Sequence, residues 1–177
     1  VVCFTGGFFA AKYIIENANS DPETPETEVV ALEAKDFTLG YGFKITLDDS
    51  FSKKSTGNTK QYAIANDSVA FIATRDSFED LASAGYNNIS EMYYAQLCIN
   101  NSGKNVIGRR DETNNWYYFE YTSVVDGRSY KYYSMVKKGQ SAYWLCQFSA
   151  YEDVYDDKVE NFKSWLKTIE INDAQYA

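Results

Sequence analysis

The apolar positions fall into their clearest order between residues 115 and 150. Three strand-like runs follow one another there, at 116–125, 129–137 and 141–150, with Asp126-Gly127 and Lys138-Gly139 in the gaps. Asp-Gly tolerates the positive φ that a two-residue type I′ turn requires, so the stretch predicts an antiparallel meander. Pairing Val125 with Arg128 sets Tyr121 opposite Tyr132, and pairing Lys137 with Gln140 sets Tyr132 opposite Leu145. One face then carries Phe119, Tyr121, Tyr130, Tyr132, Tyr143 and Leu145. The other carries Trp116, Tyr118, Tyr133, Met135, Trp144, Cys146 and Phe148. A sheet with one wet face alternates between apolar and polar positions, and this one is apolar on both. The pattern therefore predicts a layer of helix on each side.

The remaining chain supplies the pieces for that arrangement. Residues 37–47 alternate as strand around Gly40 and Gly42, which mark a turn or bulge, and 51–60 reads as a polar loop. Residues 62–65 and 69–74 form a strand pair about Asn66-Asp67. Asp76-Ser77-Phe78-Glu79 and Asn88-Ile89-Ser90-Glu91 each have the form of a helix start, the second ahead of Met92, Tyr93, Leu97 and Ile99. Residues 105–109 read as a strand. Tyr155, Val159, Phe162, Leu166 and Ile169 recur at helical spacing, with acidic residues before them and Lys163 and Lys167 near the end. The expected fold is α+β, an antiparallel sheet of about six strands sandwiched between helices in α/β/α layers, over residues 35–172. Ahead of it, 1–15 is expected to be the remnant of a membrane anchor or signal segment. Residues 16–34 read as an acidic linker containing Pro22 and Pro25, and 173–177 as a tail.

Composition narrows the chemistry. Of 177 residues none is histidine, which removes the Ser-His and Cys-His nucleophile pairs and histidine acid–base catalysis. A net charge of −8 without a basic run disfavours nucleic acid as a partner. No cofactor motif or metal-ligand spacing is present, and Glu152, Asp153, Asp156 and Asp157 are accounted for as helix-start residues. Cys98 and Cys146 are read either as buried small apolar residues or as a helix-to-sheet disulfide. The candidate ligand-binding residues are Glu120, Tyr118 and Tyr133. Glu120 sits mid-strand opposite Tyr133, where it can pair with Lys131 or a tyrosine hydroxyl, or serve as a lone acid or base. No second carboxylate is placed to partner it, so no catalytic residue is assigned. Surface aromatics also admit a glycan- or ligand-stacking reading. The glycosylation sequons at Asn66, Asn88 and Asn100 are no more than chance would give in a chain of this composition.

Several segments together resemble the PsbP-like superfamily, which includes DcrB-type bacterial lipoproteins. They are GFKITLDDSF (Gly42 to Phe51), VAFIAT (Val69 to Thr74), the hairpin YYFEYTSVVDGRSYKYYSMV, the strand SAYWLCQFSA and the closing FKSWLKTIEI. The likeness covers about residues 35–171, and Asp48 stands where members commonly carry Pro. The resemblance implies a domain on the extracytoplasmic side of a membrane, with an accessory or binding role and no catalytic motif to carry over. The expectation is a membrane-tethered, non-enzymatic domain that binds another protein or membrane assembly. The alternatives are a small-ligand or glycan-binding module and, third, an enzyme using Glu120.

Overall fold

The computed structural model describes residues 32–176. The anchor expected at 1–15, Cys3 and nearly all of the linker expected at 16–34 lie outside the described residues. The elements run β1 (Ala34–Thr38), β2 (Phe43–Asp48), β3 (Ser52–Lys54), β4 (Gln61–Ala65), β5 (Val69–Ser77), α1 (Phe78–Ser83) and α2 (Glu91–Ser102). They continue as β6 (Arg109–Asp111), β7 (Trp116–Val125), β8 (Arg128–Lys138), β9 (Ala142–Tyr151), α3 (Glu152–Lys167) and β10 (Glu170–Ile171).

A seven-stranded antiparallel sheet, ordered β3-β4-β5-β9-β8-β7-β6, forms the middle layer. Its strands are apolar on both faces, and each face is covered. Tyr121, Tyr130, Tyr132, Tyr143 and Leu145 pack with Leu81 of α1 and with Tyr94, Ala95, Cys98 and Ile99 of α2. The opposite face packs Tyr133, Met135, Trp144, Cys146 and Phe148 against Tyr155, Phe162 and Leu166 of α3. Helix α3 shares this second side with a three-stranded sheet, β1-β2-β10, whose Phe43, Ile45 and Leu47 enter the same core. The antiparallel sheet between helices is thus present, and part of the expected single sheet stands apart as a second one. Residues 51–60 are not all loop, since Phe51 is buried against the edge of Trp165 and β3 follows it.

Helices α1 and α2 both start within the predicted segments, with the caps one and two residues later than the boxes at Asp76–Glu79 and Asn88–Glu91 place them. Ser77 and Ser90 are the N-caps of α1 and α2, their hydroxyls accepting from the backbone N–H of Asp80 and Tyr93. Gly103 closes α2 in the left-handed region, φ 66°. At Gly42, φ 69°, a β-carbon would fall 2.1 Å from the carbonyl oxygen of Asn172, so only glycine fits between β2 and the chain leaving β10.

The first hairpin of the meander has the expected register, Val125↔Arg128 and Tyr121↔Tyr132, with Asp126 and Gly127 at φ 49° and 78°. The second departs from expectation. Lys138 pairs with Tyr143, so Tyr132 lies opposite Ser149 and Leu145 opposite Val136. The cause is Asp173, fully buried, whose carboxylate accepts from Gln140 N (2.6 Å), Ser141 N (3.2 Å) and Ser141 Oγ (2.8 Å). Those two residues are held off the ladder and the turn widens. Because the register moves by an even number of residues, every side chain keeps its predicted face. The same contacts show that 173–176 is no loose tail: Asp173 is a buried buttress, and Tyr176 meets the ring of Tyr41 edge-on at 5.0 Å.

The disulfide considered for Cys98 and Cys146 does not form. Both thiols are free, and they lie in the two cores on opposite faces of the sheet. Burial pushes the Cys146 thiol up to about 12 and the Cys98 thiol well above its ordinary value, so both behave as small apolar residues.

Candidate functional site

The three residues singled out in the sequence come together on the α3 side of β7 and β8. Glu120 pairs across the ladder with Tyr133, and Tyr118, two residues back along β7, stacks on Tyr133 at 5.1 Å between ring centres with 9° between planes. Trp116 Nε1 donates to the Tyr133 hydroxyl at 3.1 Å. The helix then adds a residue the sequence did not connect to this place. Tyr155, in the first turns of α3, donates its hydroxyl to Glu120 Oε1 at 2.7 Å. Burial, reinforced by that bond, pushes the Tyr155 phenol far above its ordinary value, and burial does the same to Tyr133. Both stay neutral at any physiological pH.

The Glu120–Lys131 pair considered from the sequence gives way to this arrangement. Lys131 lies opposite Thr122, its ammonium sits over the Tyr155 ring at 4.4 Å, and it reaches Asp156 Oδ1 at 3.2 Å. Asp156 is largely in water, so the ion pair itself adds little. The ring contact and the hydroxyl bond position Tyr155, and Tyr155 orients Glu120.

Beside Glu120 opens a cleft of about 290 Å³ lined by Asn105, Val106, Ile107, Arg109, Tyr118 and Glu120. It lies between β7 and the segment 104–108, which leads into β6. The sequence predicts a strand at 105–109, and the ladder begins only at Arg109, opposite Tyr118. Ile107 is 81% exposed and Val124, further along β7, is 65% exposed. The cleft therefore offers one carboxylate with a fixed orientation, one exposed guanidinium and one uncovered apolar side chain, Ile107, beside a strand edge. Arg109 and Ile107 were not distinguishable in the sequence from ordinary strand residues. Only their place beside a three-residue β6 gives them significance.

A second, smaller cavity of about 230 Å³ lies between α1 and the start of α2, lined by Phe78, Leu81, Tyr86, Ile89 and Tyr143 with Lys138 at its rim. Tyr143 is fixed there by donating its hydroxyl to the Ile89 carbonyl at 2.5 Å and by stacking on Tyr94 at 4.6 Å. Met92 and Tyr93 of α2 are 60% and 49% exposed. No helix among the described residues is long and apolar enough to cross a membrane.

Comparison with solved structures defines the class of fold. The Ran-binding protein Mog1p of Saccharomyces cerevisiae superposes with a TM-score of 0.54 at 9% identity, over 82% of this chain and 98% of that one. A protein of Bacteroides thetaiotaomicron gives 0.52 at 12% identity, over 78% of this chain. The match covers 48% of the Bacteroides protein, so the chain spans about half of its length. Cyanobacterial PsbP from Synechocystis also matches, at 11% identity over 85% of this chain and 99% of that one, with a TM-score of 0.45 too low to argue from. No family profile and no curated protein sequence matches the chain. The chain has an α+β fold, and it shares that fold with Mog1p.

Proposed function

We propose that this chain is a non-enzymatic accessory domain that binds another protein through the β6–β7 side of its large sheet. The observation that carries the reading is the exposure of Ile107 in the Glu120 cleft and of Val124 further along β7. Large apolar side chains left in water next to an incompletely paired edge mark an interaction surface. The fold it shares with Mog1p, a Ran-binding protein, is in keeping with such a role. In this reading Glu120 is a recognition group, because one of its oxygens is already committed to Tyr155. The apolar stretch at 1–11 and the acidic, proline-containing stretch at 16–28 support a tether that holds the domain on the extracytoplasmic side of a membrane.

Small-ligand binding is a second reading, favoured by the aromatic-lined cavity beside Tyr143. At about 230 Å³ that cavity falls below the ~300–1,000 Å³ typical of dedicated ligand pockets, which ranks it behind protein binding.

The test is chemical cross-linking in the native host, with recovery of partners on the wild-type chain and on an Ile107→Asp, Val124→Asp double variant. A discrete partner on the wild type, lost with the variant, is expected. Recovery of no partner, or the same partner on both, overturns the reading. Membrane fractionation of the native protein tests the tether, with the chain expected in the membrane pellet.

A further inference from the structure

The geometry of β7 identifies which of its backbone groups are on offer. Asp126-Gly127 closes the β7–β8 hairpin with positive φ at both positions, so Val125 and Arg128 form its first hydrogen-bonded pair. Antiparallel ladders alternate bonded and non-bonded pairs. Tyr121 and Ser123 therefore turn their N–H and C=O groups inward to β8, while Glu120, Thr122 and Val124 turn theirs outward. Tyr118 also points outward and is met by Arg109, where β6 begins. Beyond that point, among the described residues, no backbone hydrogen bond reaches the outward groups of Glu120, Thr122 or Val124.

Residues 104–108 run alongside this edge without joining it. Continuing the β6 register residue by residue brings Lys104 opposite Ser123, and Lys104 Nζ does meet Ser123 Oγ at 3.2 Å. From Lys104 to Arg109 the residues alternate partly buried and exposed, the period of a strand. Val106 is drawn into the core beneath α2, and Gly108 lies against Ile99. Those contacts hold the segment to the helical side, and the cleft lined by Tyr118 and Glu120 is the gap they leave.

We propose that the outer edge of β7, from Glu120 to Val124, takes up an extended segment of a partner protein as an added strand, with 104–108 moving aside. This inference rests on the protein-binding reading and specifies its mode. Main-chain bonding at a free edge supplies affinity, and alternate side chains supply choice. The side-chain positions define the segment. On the α3 side the edge presents Glu120 and, bonded to Thr122 and Ser129, Glu152. Asp156 lies beyond, and Lys131 is engaged with it. On the other side an incoming residue takes the apolar place Val106 now holds. The matching partner alternates basic and apolar residues, and the chain's net charge of −8 steers such a segment in.

The probe is an acetylated, amidated octapeptide of alternating lysine and valine, titrated into the isotopically labelled chain. The amide signals of Glu120, Thr122 and Val124 are expected to move most and to gain exchange protection. A peptide with glutamate in place of lysine is expected to bind at least about tenfold more weakly, and so is the lysine peptide on Val124→Lys. Val124 is exposed, so this variant should keep its thermal midpoint, which separates lost binding from lost folding. Largest shifts around Phe78 and Tyr143, equal binding of the acidic peptide, unchanged binding by Val124→Lys, or no binding would each overturn the proposal. If Val124→Lys still recovers the native partner in cells, strand addition fails and protein binding stands. If no partner is recovered at all, the broader reading fails with it.

Discussion

Raising the pH above about 10 is expected to unfold the domain in one cooperative step, because its cores are built on tyrosines that must stay neutral. Tyr94, Tyr121, Tyr133 and Tyr155 are buried to 6% exposure or less, and burial is the chief cause raising each phenol above its ordinary value. In the unfolded chain these groups lose their protons near pH 10. Above that pH the folded state holds more protons than the unfolded one, so stability falls as pH rises. Their contribution is complete below pH ~10 and is lost as the pH climbs toward the folded-state values. Each group removes about 1.4 kcal/mol per pH unit, so four remove roughly 5–6 kcal/mol per unit. Typical domains hold only ~5–15 kcal/mol in all. Far-ultraviolet ellipticity and tyrosinate absorbance should therefore change together. A gradual rise in tyrosinate with the ellipticity intact would contradict the packing described for these rings.

Phe162→Ala is expected to be strongly destabilising. Phe162 is fully buried, stacks face to face on Phe148 at 4.9 Å with 3° between planes, and meets Tyr155 edge-on at 5.7 Å. Removing a ring from such a setting costs ~3–5 kcal/mol, since it forfeits transfer energy and leaves a cavity the neighbours only partly fill. In a domain of this size that lowers the thermal midpoint by roughly 10 °C. A midpoint close to wild type would mean that α3 does not seal this face of the sheet.

Where the sequence was legible, the determinants were local. Asp126-Gly127 specifies its own turn, and the parity of a strand assigns Tyr118, Glu120 and Tyr133 to one face whatever the exact register. Ser77, Ser90 and Gly103 announce helix ends because capping involves only near neighbours. The failures have distant causes. The second hairpin is set by Asp173, more than thirty residues away in the chain, and its reach is invisible in Lys138-Gly139. The phase of α3 over the sheet, which delivers the Tyr155 hydroxyl to Glu120, depends on how two complete faces pack. The alternation at 105–109 is genuinely strand-like. It gave no sign that Val106 would be claimed by the core under α2 and the ladder left open.

That open edge is the basis of the functional account, and amide hydrogen exchange in the free protein tests it most directly. Tyr121 and Ser123, bonded to β8, are expected to exchange only as slowly as the core of the sheet allows. Glu120, Thr122 and Val124, lying between and beside them, are expected to exchange faster by orders of magnitude, because their N–H groups face outward with no backbone partner among the described residues. Equal, slow exchange at all five amides would show that the edge is already occupied and would contradict the binding surface assigned to it.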